Sequence, residues 1–123
     1  MEFDELSKKV IGFALEVHKT LGPGLMESVY EKCLSFELTK AGLKYEIQKA
    51  IPVNYKGVQI DCGYRIDILV EGKLIVELKS VDKVLPLHQS QILTYMKLAG
   101  ISTGLLLNFN VSKLKDGIQR FVL

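Results

Sequence analysis

The chain has 123 residues, of which 48% are hydrophobic and 24% charged, and its formal net charge is +2 at pH 7. A chain of this length can bury a core as one domain, so we predict a single domain over residues 1–123. It holds no apolar run of the length that a membrane span needs, so we expect no membrane partner. The small net charge neither requires nor excludes a nucleic-acid partner.

The start of the chain and its cysteines bear on localisation. Residues 1–5 are acidic and lack the basic start and apolar middle of a secretory signal peptide. Cys33 and Cys62 do not have the spacing of a metal site. Two reduced thiols are typical of a cytosolic protein, so we expect a cytoplasmic localisation.

Two helices are predicted at the start of the chain. Apolar residues recur at helical spacing over about 4–21 and about 26–41. Asp4 is placed to cap the first helix, and the Gly-Pro-Gly at residues 22–24 ends it because proline cannot continue the hydrogen-bond ladder. Gly42 stands where the glycine that ends a helix is usually found.

From residue 45 the hydrophobic period changes to two, which is typical of strands. The predicted elements are strands over 45–55, 58–70 and 74–80, a third helix over 87–98, and strands over 102–109 and 118–122. Pro52 indicates an edge strand or a bulge, and Gly63 is a candidate break in the next strand. The order α-α-β-β-β-α-β-β predicts an α/β fold in which helices flank a mixed sheet.

The segment 65–79 carries charges inside two apolar runs. Asp67 lies in the first run, and Glu77 and Lys79 lie in the second, beyond a turn at residues 71–73. Residues two apart on a strand point to the same face, so Glu77 and Lys79 project together. Because a buried charge without a partner is costly, this pattern indicates a site.

The register of this hairpin determines whether the three charges share one face. With a two-residue loop, Asp67 pairs opposite Val76 and Glu77 points to the other side of the sheet. With a three-residue loop, Asp67 pairs opposite Glu77. We predict the three-residue loop or a bulge. The alternative is a structural hairpin in which Lys79 forms an ion pair with a carboxylate, an interaction that stabilises little at a surface.

The spacing of Asp67, Glu77 and Lys79 resembles that of the PD-(D/E)XK nuclease superfamily, which has the restriction-endonuclease-like fold. The proline of the family's name is replaced by Ile66. The resemblance implies that Asp67, Glu77 and the backbone carbonyl of Leu78 bind Mg²⁺ or Mn²⁺. It also implies that Lys79 orients the attacking water or stabilises charge that develops on the phosphate.

A second resemblance covers most of the chain. Gly24, Glu27 and Tyr30 match the pattern that names the small GxxExxY proteins, and the preceding residues 16–24 are also similar to that family. These are bacterial and archaeal proteins placed in the same superfamily. The resemblance implies that Glu27 points at the metal site. The alternative is an acid of the first helical turn that the helix dipole favours.

Gln91 and Tyr95 are four residues apart and share one face of the third predicted helix. They resemble the Gln-x-x-x-Tyr element of the RecB-like branch of the superfamily, which implies that Gln91 bonds the substrate phosphate or a water at the metal. The alternative is a half-buried structural glutamine. The two histidines, His18 and His88, are far apart, so no histidine zinc site is expected. We interpret His18 as a structural residue or as one that contacts a metal ligand rather than the metal itself.

Together these resemblances imply a metal-dependent nuclease that hydrolyses DNA or, as a second possibility, RNA. One alternative is a catalytically silent module that keeps the fold and binds nucleic acid or protein. Another is a hydrolase of a small phosphate ester, which the absence of a nucleotide-specific motif disfavours. Because the short chain leaves little protein to surround a duplex, a homodimer is also considered.

Overall fold

The computed structural model describes residues 4–123. Its helices are α1 (Glu5–Leu21), α2 (Glu27–Lys40) and α3 (Pro86–Ala99). Its strands are β1 (Tyr45–Ala50), β2 (Val53–Tyr55), β3 (Val58–Ile60), β4 (Arg65–Val70), β5 (Leu74–Lys79), β6 (Thr103–Asn108) and β7 (Ile118–Val122), with a short 3₁₀ helix at Leu114–Gly117. Residues 1–3, part of the acidic segment used to predict the localisation, lie outside the described residues.

Five strands form one mixed sheet in the order β1-β4-β5-β6-β7. β5 and β6 are parallel, and the other neighbours are antiparallel. A parallel pair needs a crossover connection, and α3 supplies it. β2 and β3 form a separate two-stranded sheet. The predicted α/β fold, a mixed sheet flanked by helices, is confirmed and is consistent with the restriction-endonuclease-like fold.

Helices cover both faces of the large sheet. Side chains of α1 and α2 pack on one face in a cluster that includes Val10, Ala14, Tyr30, Leu34, Ile68, Val76 and Leu105. Side chains of α3 pack on the other face in a cluster that includes Ile66, Ile75, Ile92, Tyr95, Met96 and Leu106. β5 and β6 are therefore buried along almost their whole length, as expected for strands covered on both sides. None of the helices described within residues 4–123 is long and apolar enough to cross a membrane.

The connection between α1 and α2 is fixed by side chains. Asp4 caps α1 as predicted, because its carboxylate accepts the Ser7 N–H at 2.8 Å. At the other end of α1, the hydroxyl of the buried Tyr30 donates to the Gly22 carbonyl at 2.6 Å and accepts the Leu25 N–H at 3.1 Å. These bonds hold the turn that leads into α2, which begins as predicted just after it.

His18 lies at the end of α1 and has a structural role, which is one of the two roles predicted for it. Its Nε2 is 2.8 Å from the Val111 carbonyl and 3.2 Å from the Phe109 carbonyl. Carbonyl oxygens only accept, so Nε2 carries the proton. The imidazole therefore ties α1 to the segment that follows β6.

Two of the predicted strands are each divided in the structure, so the predicted strand count was wrong. Residues 45–55 form β1 and β2, which belong to different sheets. Pro52 lies between them and cannot donate to a ladder. Residues 58–70 form β3 and β4, separated by a turn in which Gly63 has a φ of 77° and its N–H bonds the Asp61 carboxylate at 2.8 Å. The pair β2 and β3 is thus an inserted hairpin between β1 and β4.

Candidate active site

The hairpin of β4 and β5 turns through a three-residue loop, residues 71–73. Its register pairs are Ile68 with Val76, Leu69 with Ile75 and Val70 with Leu74. Gly72 in this loop has a φ of 63°, a backbone conformation that glycine adopts without strain. The predicted three-residue loop is confirmed. The same register, continued along the strands, brings Asp67 opposite Glu77.

The ladder between β4 and β5 stops before it reaches these two acids, and we call residues 65–67 and 77–79 the open end of the hairpin. There the Asp67 N–H donates to Glu77 Oε1 at 3.2 Å, and the Leu78 N–H donates to Asp67 Oδ2 at 2.9 Å. Each carboxylate thus accepts from a backbone N–H of the opposite strand. The side chains satisfy backbone groups that a regular ladder would have paired.

The backbone carbonyl of Leu78 points into the same gap between the strands. In a strand, the N–H and the carbonyl of one residue point to the same edge. The Leu78 N–H bonds Asp67, so its carbonyl lies on the β4 side. The next carbonyl, that of Lys79, points the other way and accepts the Phe109 N–H at 2.9 Å. All three groups that the resemblance implies as metal ligands therefore border one gap.

Glu77 holds its proton unusually tightly. Its side chain lies in the sheet, and the residue is only 5% exposed. Burial and, after it, the negative charge of Asp67 raise the pKa of Glu77 from 4.5 to about 9, while the charge of Lys79 opposes this rise. At neutral pH the Glu77 carboxyl therefore holds a proton. A divalent cation would offset the repulsion between the two carboxylates and release that proton.

Gln48 and Glu31 belong to this arrangement and were not predicted. Gln48 stands opposite Asp67 in the register of β1 and β4 and has a φ of 50°. Its Nε2 donates to Glu31 Oε2 at 2.7 Å and to Asp67 Oδ1 at 3.3 Å. The amide thus links a carboxylate of α2 to the open end. The available signal was that Glu31 lies four residues after Glu27, hence on the same helix face.

Glu27, the residue of α2 that the motif indicated, contacts a neighbouring segment. It is exposed in the first turn of α2, and its Oε2 accepts the Ser80 N–H at 3.3 Å. The Ser80 hydroxyl in turn donates to the Leu25 carbonyl at 2.6 Å. These bonds join the start of α2 to the residue that follows β5. The link from α2 to Asp67 runs through Glu31 instead, and a role of Glu27 at a metal stays a prediction.

Lys79 lies half-buried at the end of β5. Within residues 4–123, its ammonium forms no ion pair within 4.0 Å of an acidic side chain. The alternative interpretation, a hairpin held by an ion pair of Lys79, is therefore not what the structure shows. The charge of Lys79 still acts on the pair, because it lowers the pKa of Glu77.

The segment after Lys79 is held by Asn108 of β6. This buried side chain accepts the Val81 N–H at 3.1 Å and donates to the Val81 carbonyl at 3.0 Å. One amide thus satisfies both backbone groups of one residue, as a neighbouring strand would. It fixes the path of the chain as it leaves the open end, and no motif in the sequence pointed to it.

Helix α3 brings Gln91 and Tyr95 to the other side of the pair. Gln91 Nε2 donates to Tyr95 Oη at 2.8 Å, which confirms that the two residues share one helix face. Burial, followed by the negative charge of Glu77, raises the pKa of Tyr95, and Asp67 adds to this effect. Tyr95 is therefore close enough to the carboxylates to interact with their charge. The role of Gln91 toward a phosphate or a metal stays a prediction.

The donor set fits a hard cation that keeps much of its own hydration. The part of the chain from residue 4 onward contains no cluster of three or more histidine, cysteine, aspartate or glutamate side chains that could hold a metal ion. Two carboxylates and one carbonyl are enough protein ligands for Mg²⁺, which retains several waters. A structural zinc site would need four nitrogen or sulfur ligands, which the open end does not offer.

The chain was compared with known families and proteins. The family model of the PD-(D/E)XK nuclease superfamily matches residues 4–121. No curated protein and no solved structure matches the chain. The matched range includes both strands of the open end and all three helices.

Proposed function

The chain belongs to the PD-(D/E)XK nuclease superfamily, and on that basis we propose that it is a metal-dependent nuclease that hydrolyses phosphodiester bonds of DNA or, alternatively, RNA. The observation that carries this proposal is the open end, where Asp67 and Glu77 border one gap and Lys79 lies beside them. The pattern at residues 24–30 supports a finer assignment to the GxxExxY proteins within the superfamily.

The proposed ligands are the carboxylates of Asp67 and Glu77 and the carbonyl of Leu78, and the proposed cation is Mg²⁺ or Mn²⁺. A bound divalent cation would supply a water of lowered pKa and would offset negative charge at the phosphate. The protein contributes a rigid setting for these oxygens. Asp67 accepts from Leu78 and Gln48, and Glu77 accepts from Asp67, so neither carboxylate is free to rotate away.

Lys79 is the proposed cationic residue of the reaction. Its ammonium lies near the carboxylate pair without being bound to an acid among residues 4–123. It is thus available to a phosphate oxygen, where a fixed positive charge stabilises the charge that develops as the bond breaks. Gln48 is a proposed positioning residue, since its amide holds Asp67 toward Glu31. Glu27 and Gln91 are proposed to complete the mouth of the site.

The rival function is a silent module that keeps the fold. A register that places Asp67 and Glu77 on different faces of the sheet would favour it. The observed register instead brings the two acids opposite each other. The superfamily implies a nucleic-acid substrate for the nuclease, whereas the silent module would bind either nucleic acid or protein. The homodimer and the cytoplasmic localisation stay predictions.

The test compares the wild-type chain with Glu77→Gln. Both are incubated with linear duplex DNA, single-stranded DNA and RNA in Mg²⁺, in Mn²⁺ and in EDTA. We expect cleavage that requires metal and falls about a thousandfold in the variant, which corresponds to several kcal/mol of transition-state stabilisation. Glu71→Gln, the same change in the loop of the same hairpin, is the matched control and retains cleavage. A folded wild-type chain that neither cleaves any substrate nor binds Mn²⁺ saturably would establish the silent module.

A further inference from the structure

A cleft of about 290 Å³ opens on the α3 side of the sheet. It lies between α3 and the residue that precedes β4, and its walls include Tyr64, His88, Gln91, Thr94 and Tyr95. Its volume is near the lower end for small-ligand pockets, which begin at roughly 300 Å³. A single planar ring system is an occupant of suitable size.

Two aromatic rings and the side chain of Leu87 form the apolar part of this cleft. The ring centroids of Tyr64 and Tyr95 are 5.5 Å apart, and their planes are inclined by 49°. The rings are therefore not stacked face to face on each other. Tyr95 is 5% exposed, whereas Tyr64 is 37% exposed. An exposed tyrosine face in a cleft is a surface on which another planar ring can stack.

The polar groups of the cleft offer both donors and acceptors. His88 Nδ1 accepts the Leu85 N–H at 3.0 Å, so the proton of the neutral imidazole is on Nε2, which is a donor. The amide nitrogen of Gln91 is used by Tyr95, which leaves the amide oxygen of Gln91 as an acceptor. Thr94 adds an exposed hydroxyl. Aromatic faces beside mixed donors and acceptors match the chemistry of an unpaired nucleobase.

The cleft lies beside the candidate active site, because Tyr95 packs in the same cluster as Ile66, which precedes Asp67, and Ile75, which lies two residues before Glu77. Tyr95 interacts with the charges of Glu77 and Asp67. Tyr64 precedes Asp67 by three positions, a separation of roughly 10 Å along an extended chain. A nucleotide strand that places a phosphate at the open end would thus bring a neighbouring base to the cleft.

We propose that this cleft binds an unpaired nucleobase beside the phosphodiester to be cut, so that the substrate class is single-stranded nucleic acid or a single-stranded end. The inference rests on the proposed nuclease function. A base inside a duplex is paired and stacked, and its entry into the cleft would cost the energy of extrusion. The stacking surface of Tyr64 distinguishes unpaired from paired substrate, while the carboxylates act on either.

The test uses Tyr64→Ala and Tyr64→Phe in the full chain. Fluorescence anisotropy in EDTA measures binding of a short single-stranded oligonucleotide, as DNA and as RNA, and of the duplex of the same sequence. We expect the wild type to bind the single strand more tightly. Tyr64→Ala weakens single-strand binding about 5- to 150-fold, the range for loss of one stacking aromatic, and Tyr64→Phe retains it. Circular dichroism confirms that both variants are folded.

A second readout separates this inference from the proposed function. A single-stranded oligomer of abasic tetrahydrofuran units has the phosphodiester backbone without bases or any other planar ring, and we expect the wild type and both variants to cleave it equally in Mn²⁺. Equal affinity for single strand and duplex, or no effect of Tyr64→Ala, would overturn the base-binding cleft even if hydrolysis persists. If the wild type hydrolyses no substrate but still binds single strands in a Tyr64-dependent way, the proposed nuclease function is overturned and the cleft remains as a binding site.

Discussion

The loop end and the open end of the β4 and β5 hairpin are built in opposite ways. At the loop end the two backbones pair in register, and side chains such as Leu74 and Ile75 are buried and apolar. At the open end the ladder stops, and Asp67 and Glu77 accept the backbone N–H groups themselves. One short hairpin thus separates two tasks. Its loop end stabilises the fold, and its open end concentrates charges that the fold alone does not require.

The strongest destabilisation is predicted at the loop end. Leu74 is 1% exposed and packs in the α1 and α2 cluster, so Leu74→Ala leaves a cavity. We expect it to lower the free energy of unfolding by about 2–5 kcal/mol in urea titrations. Mn²⁺ binding per folded molecule should be unchanged. If Glu77→Gln at the open end lowers the free energy of unfolding by the same amount, the two ends contribute equally to the stability of the fold.

A second effect, at the open end, has the opposite sign, depends on pH and is smaller over any one pH unit. The pKa of Glu77 is raised to about 9 in the folded protein from 4.5. Between these values unfolding releases a proton, so this group's contribution is fully present below pH 4.5 and is lost as the pH rises through 9. The loss amounts to about 1.4 kcal/mol per pH unit within that window.

Glu77→Gln removes this pH dependence because an amide does not titrate. In EDTA, the stability of the variant relative to the wild type should therefore increase steadily when urea titrations are repeated from mildly acidic to mildly alkaline pH. Glu71→Gln in the loop is the matched control and should follow the wild type. Parallel stability curves for Glu77→Gln and the wild type would mean that Glu77 is ionised in the folded protein.

The smallest expected effect concerns the backbone of Gln48. Its φ of 50° lies in the left-handed region, which costs a residue with a side chain about 1 kcal/mol. Gln48→Gly should therefore be more stable than Gln48→Ala by about that amount in thermal unfolding. Both variants lose the amide that holds Asp67, so both should bind Mn²⁺ about tenfold more weakly. If the glycine and alanine variants have the same melting temperature, the backbone at this position is not strained.

The sequence alone predicted the hairpin and its acids because both depend on local rules. The two-residue period fixes which side chains share a face, and the loop length fixes which residues are opposite. These rules left two loop lengths open, and the loop at residues 71–73 was predicted because it places Asp67 opposite Glu77. The N-cap of α1, Asp4, was predictable for the same reason.

The contributions of Gln48 and Glu31 depend on how α2 lies over the sheet, which no local rule describes. A positive φ at a glutamine also leaves no trace in the sequence, unlike one at a glycine. Likewise, Pro52 marked an interruption, but whether the chain resumes in the same sheet is decided by pairing with distant strands. Tertiary placement therefore accounts for most of what the sequence left open.

The amide of Asn108 has a consequence for the order in which the protein is made. It holds Val81, which lies 27 residues earlier in the chain. On the ribosome, the acids of the open end are synthesised well before the side chain that fixes the segment leaving it. A nascent chain can therefore form the hairpin early, but it completes the surroundings of Lys79 only after β6 has emerged and docked beside β5.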